Sequence, residues 1–183
     1  HLTKGGGEQF EAVYSEINPQ NLVPTLMDGE VKIFQSMAIM EYLEEKFPAP
    51  SLLPSDHSSR ARVRALANMI ACDIHPLNNL RVRLYLVDEM NVTEEKRQAW
   101  ISHWIHIGFQ AYEKNLVHCE EIGLYSHGNH PTMADACLIP QIANARLNKV
   151  DLSNFPFILQ VEERCQAHPA FKKALPSNQP DGT

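Results

Sequence analysis

Two prolines that stand close together, Pro48 and Pro50, divide this 183-residue sequence into parts with different patterns. Before them, short β-prone segments alternate with helical ones. After them, apolar residues recur at intervals of three and four, which is the spacing of amphipathic helices. The sequence therefore predicts an α/β domain over residues 1–48, followed by an all-α domain over residues 56–183.

The clearest local structure in the first part is a β-hairpin. Val23 to Met27 and Val31 to Phe34 are both β-prone, and Asp28-Gly29 stands between them. An Asp-Gly pair in this place is typical of a type I′ turn, which needs positive φ at both central positions. Because a hairpin with two helices is too small to be stable alone, we expect further strands before His1.

Helices are predicted on both sides of the hairpin and throughout the second part. Glu8 to Ile17 can form a short helix, and Ser36 can cap a second one that ends near Lys46. Ala61 to Leu86 has the pattern of one long helix, which Pro76 should kink. Further helices are predicted over about Thr93–Leu116, from the capping-box pair Thr132 and Asp135 onward, and over about Phe155–Cys165.

Charge and composition exclude several classes of function. The net charge of −6 argues against a general affinity for nucleic acid. No segment approaches the roughly 20 apolar residues that are needed to cross a bilayer. His103 with His106, and His127 with His130, lack a third ligand at a recognisable spacing, so no metal site is predicted. Buried free thiols in a reducing cytosol are expected for Cys72, Cys119, Cys137 and Cys165.

Several local motifs resemble those of the glutathione transferases. Asn18 to Leu26 resembles the stretch that leads into their cis-proline strand, and Gln35 to Leu43 resembles their glutathione-anchoring turn and helix. The resemblance spans Gly6 to Asp181 and implies a partial thioredoxin-like domain followed by an all-helical domain. Three segments resemble the zeta class more narrowly, specifically the maleylacetoacetate isomerases: Asp73–Arg81, His127–Asp135 and Asn178–Asp181.

The resemblance implies a glutathione site in the first domain. A cis bond between Val23 and Pro24 would turn the Val23 N–H and C=O outward, where they could pair with the ligand backbone. Gln35 and Ser36 would hold the γ-glutamyl carboxylate at a helix start, where the helix dipole favours an anion. From the residues alone, a trans Pro24 at a strand edge and a simple N-cap at Ser36 remain open.

The resemblance also implies contacts from the second domain, at His75, Asn79, Leu80 and Arg81. On one continuous helix, spacings of four and six would place His75, Asn79 and Arg81 roughly on one side. Animal members of the family usually carry Gln at the position of His75, so we expect a hydrogen-bonding role and not a general base. The alternative is a partly buried helical histidine whose ring is satisfied.

The implied substrate carries two carboxylates and therefore needs cationic partners. Arg81 and Arg146 are the candidates. The family tends to have its arginine one position after Arg146, where this sequence has Leu147, so the assignment stays open. Gln9 resembles a residue that meets glutathione near its glycyl end. A Ser/Cys motif that activates the glutathione thiol is expected before His1.

The implied activity is the glutathione-dependent cis–trans isomerisation of maleylacetoacetate to fumarylacetoacetate, in tyrosine and phenylalanine breakdown. The glutathione thiolate would add to the conjugated double bond, allow rotation and leave again, so glutathione acts as a cofactor. One alternative is a general transferase that conjugates electrophiles such as α-halo acids. Another is a non-catalytic interaction module. A cytoplasmic homodimer is expected from the resemblance.

Overall fold

The computed structural model describes residues 6–117 and 123–180. It divides the chain into two compact units, His1–Ser51 (unit 1) and Leu52–Thr183 (unit 2). No helix within the described ranges is long and apolar enough to cross a membrane. The predicted free thiol of Cys119 and the Ser/Cys motif expected before His1 lie outside the described residues.

Unit 1 is built around one antiparallel hairpin. Strand β1 (Thr25–Asp28) pairs with β2 (Val31–Phe34), with Thr25 opposite Phe34. Helix α1 (Ala12–Ile17) precedes the hairpin and α2 (Ser36–Lys46) follows it. The predicted hairpin is confirmed. The predicted first helix is split, because the extended backbone of Glu11 separates a 3₁₀ turn at Glu8–Phe10 from α1.

The turn of the hairpin is not the predicted type I′ turn. Its two central residues are Gly29 and Glu30, and only Gly29 has a positive φ, of 59°. Positive φ at the first central position alone is the pattern of a type II′ turn, which favours Gly there. Asp28 instead ends β1, where its carboxylate accepts a hydrogen bond from the Tyr42 hydroxyl at 2.6 Å. It also pairs with Lys46, so α2 is tied to the hairpin.

Unit 2 is helical, and its core is continuous. The helices are α3 (His57–Asn68), α4 (His75–Asn78), α5 (Leu80–Asp88), α6 (Glu94–Val117), α7 (Met133–Leu147), α8 (Pro156–Ala167) and α9 (Pro169–Lys173). Ile101 and Ile105 of α6, and Leu138 and Ile142 of α7, have no exposed surface. An α/β unit followed by an all-α unit confirms the predicted fold class.

The single long helix predicted over Ala61 to Leu86 is wrong. A π-helical segment, Met69–Ile74, follows α3, and the chain leaves helical geometry at Asn79, which has φ −62° and ψ 151°. Pro76 has no N–H to donate to the carbonyl four residues earlier, which favours a wider turn ahead of it. Asn79 then caps α5, because its side-chain oxygen accepts the Arg81 N–H at 3.2 Å.

Two local features fix the helices around this segment. The predicted capping box at the start of α7 is confirmed, and the Thr132 N–H donates to the Asp135 carboxylate at 2.7 Å. Gly108 of α6 faces the π-helical segment, where a Cβ atom would lie 2.2 Å from the side chain of Ile74. A side chain at this position would overlap with that of Ile74, so glycine lets α6 lie close to the π-helical segment.

Candidate functional site

The loop before β1 exposes main-chain hydrogen-bonding groups. The Val23–Pro24 peptide bond is cis, as the resemblance implied. Val23 is 51% exposed. Within residues 6–117 and 123–180, neither its N–H nor its C=O has a hydrogen-bond partner. An extended ligand backbone can therefore pair with Val23 as an added strand would.

Buried polar side chains hold this loop in place. Asn18 is only 2% exposed, and its amide donates to the Leu22 carbonyl at 2.8 Å and to the Thr25 hydroxyl at 3.2 Å. The Tyr14 hydroxyl donates to the same carbonyl at 2.6 Å. Sequence reasoning missed Asn18 and Tyr14 as site residues. The available signal was the Asn-Pro turn that begins at Asn18.

The first turn of α2 forms the second part of the site in unit 1. Gln35 is the N-cap and has φ 73°, a region that is costly for any residue except glycine. Because Gln35 occupies the cap position, Ser36 is the first helical residue and not the cap that we predicted. Ser36 is exposed, and its hydroxyl has no partner in the part of the chain that the structure describes. It can therefore reach an anion at this helix end.

One side-chain contact joins the two parts. The Gln35 amide donates to the Gln20 side-chain oxygen at 2.9 Å, and the Gln20 N–H donates to the Asn18 side chain at 3.1 Å. The structure thus connects the helix cap to the loop that exposes Val23. Gln9 is placed differently, because it is only 7% exposed and lies in the 3₁₀ turn of unit 1.

In unit 2, Asn79 contacts two of the predicted site residues. Its amide nitrogen lies 3.3 Å from His75 Nε2, and its side-chain oxygen accepts the Arg81 N–H. Desolvation lowers the pKa of His75 below its ordinary value, and the nearby Gln141 amide only partly offsets this. His75 is therefore neutral at pH 7, and its Nε2 can accept a hydrogen bond from Asn79.

The two candidate arginines differ in their partners. Arg81 is exposed, and its guanidinium forms no ion pair or hydrogen bond with residues 6–117 or 123–180. Arg146 donates from Nε to Glu162 at 3.0 Å and from a terminal nitrogen to the same carboxylate at 2.5 Å. Leu80 is half-buried at the start of α5, and Leu147 is 83% exposed. Arg81 is therefore the cation that is open to a ligand carboxylate.

Metal and thiol chemistry find little support in these units. The described parts of the chain contain no group of three His, Cys, Asp or Glu that could hold a metal ion. Cys72, Cys137 and Cys165 are free thiols, as predicted, but only Cys165 is buried, and the predicted burial of Cys72 is wrong because this side chain is exposed. Burial raises the pKa of Cys137 to about 11 and that of Cys165 to about 12. Both are therefore protonated and weakly nucleophilic at pH 7.

Known proteins resemble this chain in sequence and in fold. Residues 3–51 match the family model "Glutathione S-transferase, N-terminal domain". A probable maleylacetoacetate isomerase of Vibrio cholerae is 46% identical over 99% of this chain and 83% of its own length. A zeta-class maleylpyruvate isomerase structure has a TM-score of 0.95 at 44% identity, over 100% of this chain and 85% of that one. A maleylacetoacetate isomerase of Methylobacterium extorquens AM1, with bound malonate and glutathione, has a TM-score of 0.89 at 31% identity, over 96% and 83%.

Proposed function

The chain belongs to the zeta-class glutathione transferases, the family of the maleylacetoacetate isomerases, and we propose from this that it isomerises maleylacetoacetate to fumarylacetoacetate with glutathione as cofactor. The observation that carries the proposal is the exposed Val23 main chain at the head of β1, whose N–H and C=O lack partners within residues 6–117 and 123–180. An extended peptide-like cofactor fits such an edge. Bound glutathione supplies a thiol whose reversible addition to the double bond permits rotation about it.

Unit 1 supplies the cofactor contacts in this proposal. Val23 pairs with the peptide backbone of glutathione, and its cis bond to Pro24 orients this main chain immediately before β1. Ser36 and the first turn of α2 bind the γ-glutamyl carboxylate, because the hydroxyl and the helix dipole both favour an anion there. Gln35 shapes this turn through its left-handed backbone, and Gln9 supports the cofactor from inside the unit.

We also propose ligand roles for residues of unit 2. His75, which is neutral, and Asn79 form hydrogen bonds with polar atoms of the ligands. Leu80 contributes apolar surface. Arg81 binds a substrate carboxylate, since an arginine with no partner among the described residues gains a charge-assisted hydrogen bond on binding. Arg146 has a smaller role, because it would first have to leave Glu162.

A second substrate has specific support. The maleylpyruvate isomerase structure matches this chain with a TM-score of 0.95 at 44% identity. Maleylpyruvate and maleylacetoacetate share the cis double bond between two carbonyl-bearing groups, so the same chemistry acts on both. The two substrates differ in the length of the chain beyond the ketone, and relative kcat/KM values distinguish them.

The test is the isomerisation of maleylacetone, a stable substrate analogue, with and without glutathione. We expect rapid isomerisation only when glutathione is present. Arg81→Ala should lower kcat/KM about thirtyfold, because it removes a charge-assisted contact worth about 2 kcal/mol. Arg146→Ala is the matched control and should change kcat/KM less than about threefold.

Other outcomes favour the alternative functions. Tight glutathione binding without isomerisation would favour a general transferase that conjugates electrophiles such as α-halo acids. Absence of both binding and isomerisation would favour a non-catalytic interaction module. An equal loss in both arginine variants would contradict the choice of Arg81 over Arg146.

The family also supports proposals about the domains, the location and the oligomeric state of the protein. We propose a glutathione-binding domain over residues 1–48 and a helical domain over residues 56–183. We also propose that the protein is a cytoplasmic homodimer. Sedimentation equilibrium of the purified protein tests the dimer, and a mass of one chain at micromolar concentration would contradict it.

A further inference from the structure

Three asparagine side chains form a directional series of hydrogen bonds in unit 2. The Asn148 amide donates to the Asn144 side-chain oxygen at 2.8 Å. The Asn144 amide donates to the Asn78 side-chain oxygen at 2.5 Å, and the Asn78 amide donates to the Ile74 carbonyl at 2.8 Å. Arg83 donates to the Asn148 side-chain oxygen at 3.4 Å. Each carboxamide accepts a hydrogen bond from the preceding group, starting with Arg83, and donates one to the following group, ending with the Ile74 carbonyl. These contacts fix the orientation of all three carboxamides. We call this series the asparagine relay.

The relay ends where the chain changes direction. Asn78 is the last residue of α4, is 3% exposed and is held from α7 by Asn144. The neighbouring Leu77 carbonyl accepts a hydrogen bond from the Trp100 ring nitrogen at 2.7 Å. Side chains of α6 and α7 thus hold the end of α4 from two directions, immediately before the break at Asn79.

The break is also where the start of α5 is organised. The Asn79 side-chain oxygen accepts the Arg81 N–H, and its carbonyl accepts the N–H groups of Val82 and Arg83, each at 3.1 Å. The Asn79 amide in turn contacts His75. A shift of Asn78 therefore moves Asn79, and with it the residues that flank it on both sides.

We propose that Asn144 is a positioning residue, which holds Asn78 and so fixes the turn that presents His75, Asn79 and Arg81. The ligand roles of these three residues rest on the proposed function, whereas the geometry of the relay does not. Apolar side chains could fill the same space without desolvating the buried carboxamide of Asn78. A satisfied polar series instead selects one arrangement of the helices that it joins.

Asn144→Asp tests the relay with almost no change of shape. An aspartate still accepts from Asn148 but cannot donate to Asn78, whose oxygen would then face a carboxylate oxygen. Asn115→Asp is the matched control. Like Asn144, Asn115 lies on a helix. Its side-chain amide donates to the carbonyl four residues earlier, at 2.8 Å, and contacts no other amide in the described chain.

The first readout is amide hydrogen exchange in the wild-type protein and both variants, without glutathione or substrate. We expect Arg81, Val82 and Arg83 to exchange about tenfold faster in Asn144→Asp, because the turn that accepts their N–H groups loosens. Exchange in Asn115→Asp should match that of the wild type. Equal exchange in all three proteins would overturn the proposal, whether or not the protein proves to be an isomerase.

The second readout separates positioning from stability. In the maleylacetone assay, Asn144→Asp should raise KM for glutathione or for maleylacetone about tenfold through misplaced contacts. A purely structural role would lower the folded fraction, and hence Vmax, while leaving KM unchanged, and that result would overturn the proposal. If Asn144→Asp does not fold, Asn148→Ala removes the outer donor of the relay and should raise KM about threefold.

Discussion

The two units are stabilised in different ways. Among the described residues of unit 1, Ile39 is the only buried apolar side chain, and it keeps 9% of its surface exposed. The loop that exposes Val23 is held by the polar contacts of Asn18 and Tyr14. Unit 2 has a larger apolar core, and several of its buried polar side chains, among them Asn78, Thr132 and Asp135, lie at helix ends. We infer that the loss of fully buried side chains in unit 2 mainly changes stability, whereas the loss of the polar contacts that hold the Val23 loop in unit 1 mainly changes ligand binding.

The largest expected effect is the loss of Asp135 from unit 2. Its carboxylate has no exposed surface and accepts the Ser126 N–H at 2.9 Å, the Thr132 N–H at 2.7 Å and the Thr132 hydroxyl at 2.9 Å. Asp135→Ala leaves these donors unpaired, so the free energy of unfolding should fall by about 4 kcal/mol, measured by urea denaturation.

Asp151→Ala is the control for this prediction. The Asp151 carboxylate is exposed and accepts the Ser153 N–H at 2.9 Å, so its removal should cost less than about 1 kcal/mol. Similar losses from Asp135→Ala and Asp151→Ala would mean that burial at the helix ends does not set the stability of unit 2.

A smaller effect, on ligand binding, is expected from Asn18→Ala in unit 1. The substitution removes the amide that holds the Leu22 carbonyl, so the main chain of Val23 should lose its fixed orientation. The dissociation constant for glutathione, measured by calorimetry, should rise about tenfold, which corresponds to about 1.4 kcal/mol. Ser15→Ala is the control, because among the described residues the Ser15 hydroxyl donates only to the Asn21 side chain. Unchanged affinity in Asn18→Ala would break the contrast between the units.

Much of the fold follows from local sequence patterns, and the exceptions have physical causes. The hairpin, the capping box of Thr132 and Asp135, and the long helix α6 are all encoded by neighbouring residues. The break at Asn79 is not encoded by neighbouring residues. It depends on Trp100 and Asn144, which lie far away in the sequence and bind the two residues before the break. The left-handed backbone of Gln35 was also unpredictable, since glutamine has no preference for positive φ.

The residues of the candidate site also divide into those that local sequence predicts and those that depend on distant contacts. Val23, Pro24 and Ser36 lie in short motifs that a single sequence can reveal. The difference between Arg81 and Arg146 could not be predicted, because it depends on Glu162, sixteen residues beyond Arg146. Asn18 was missed for a similar reason, since its amide contacts become visible only when the loop has folded back on it.

The smallest expected effect concerns the polar contact at the turn of the hairpin in unit 1. The hydrogen bond from Lys46, with a second one from Tyr42, lowers the pKa of Asp28 below 3.8, and the same contact raises the pKa of Lys46 above 10.5. The contact between Asp28 and Lys46 therefore stabilises the fold fully between pH 3.8 and pH 10.5. It is lost as the pH falls through the folded pKa of Asp28 or rises through that of Lys46.

Exposure of both charges keeps this contribution small, because solvent and salt screen them. Asp28→Asn should lower the thermal midpoint at pH 7 by about 1 °C, measured by circular dichroism at low salt. The difference from the wild type should vanish in about 1 M salt. It should also vanish well below pH 3.8, where the carboxyl group is neutral in both states. A difference that persisted in acid would assign the effect to the shape of the turn at Gly29 rather than to charge.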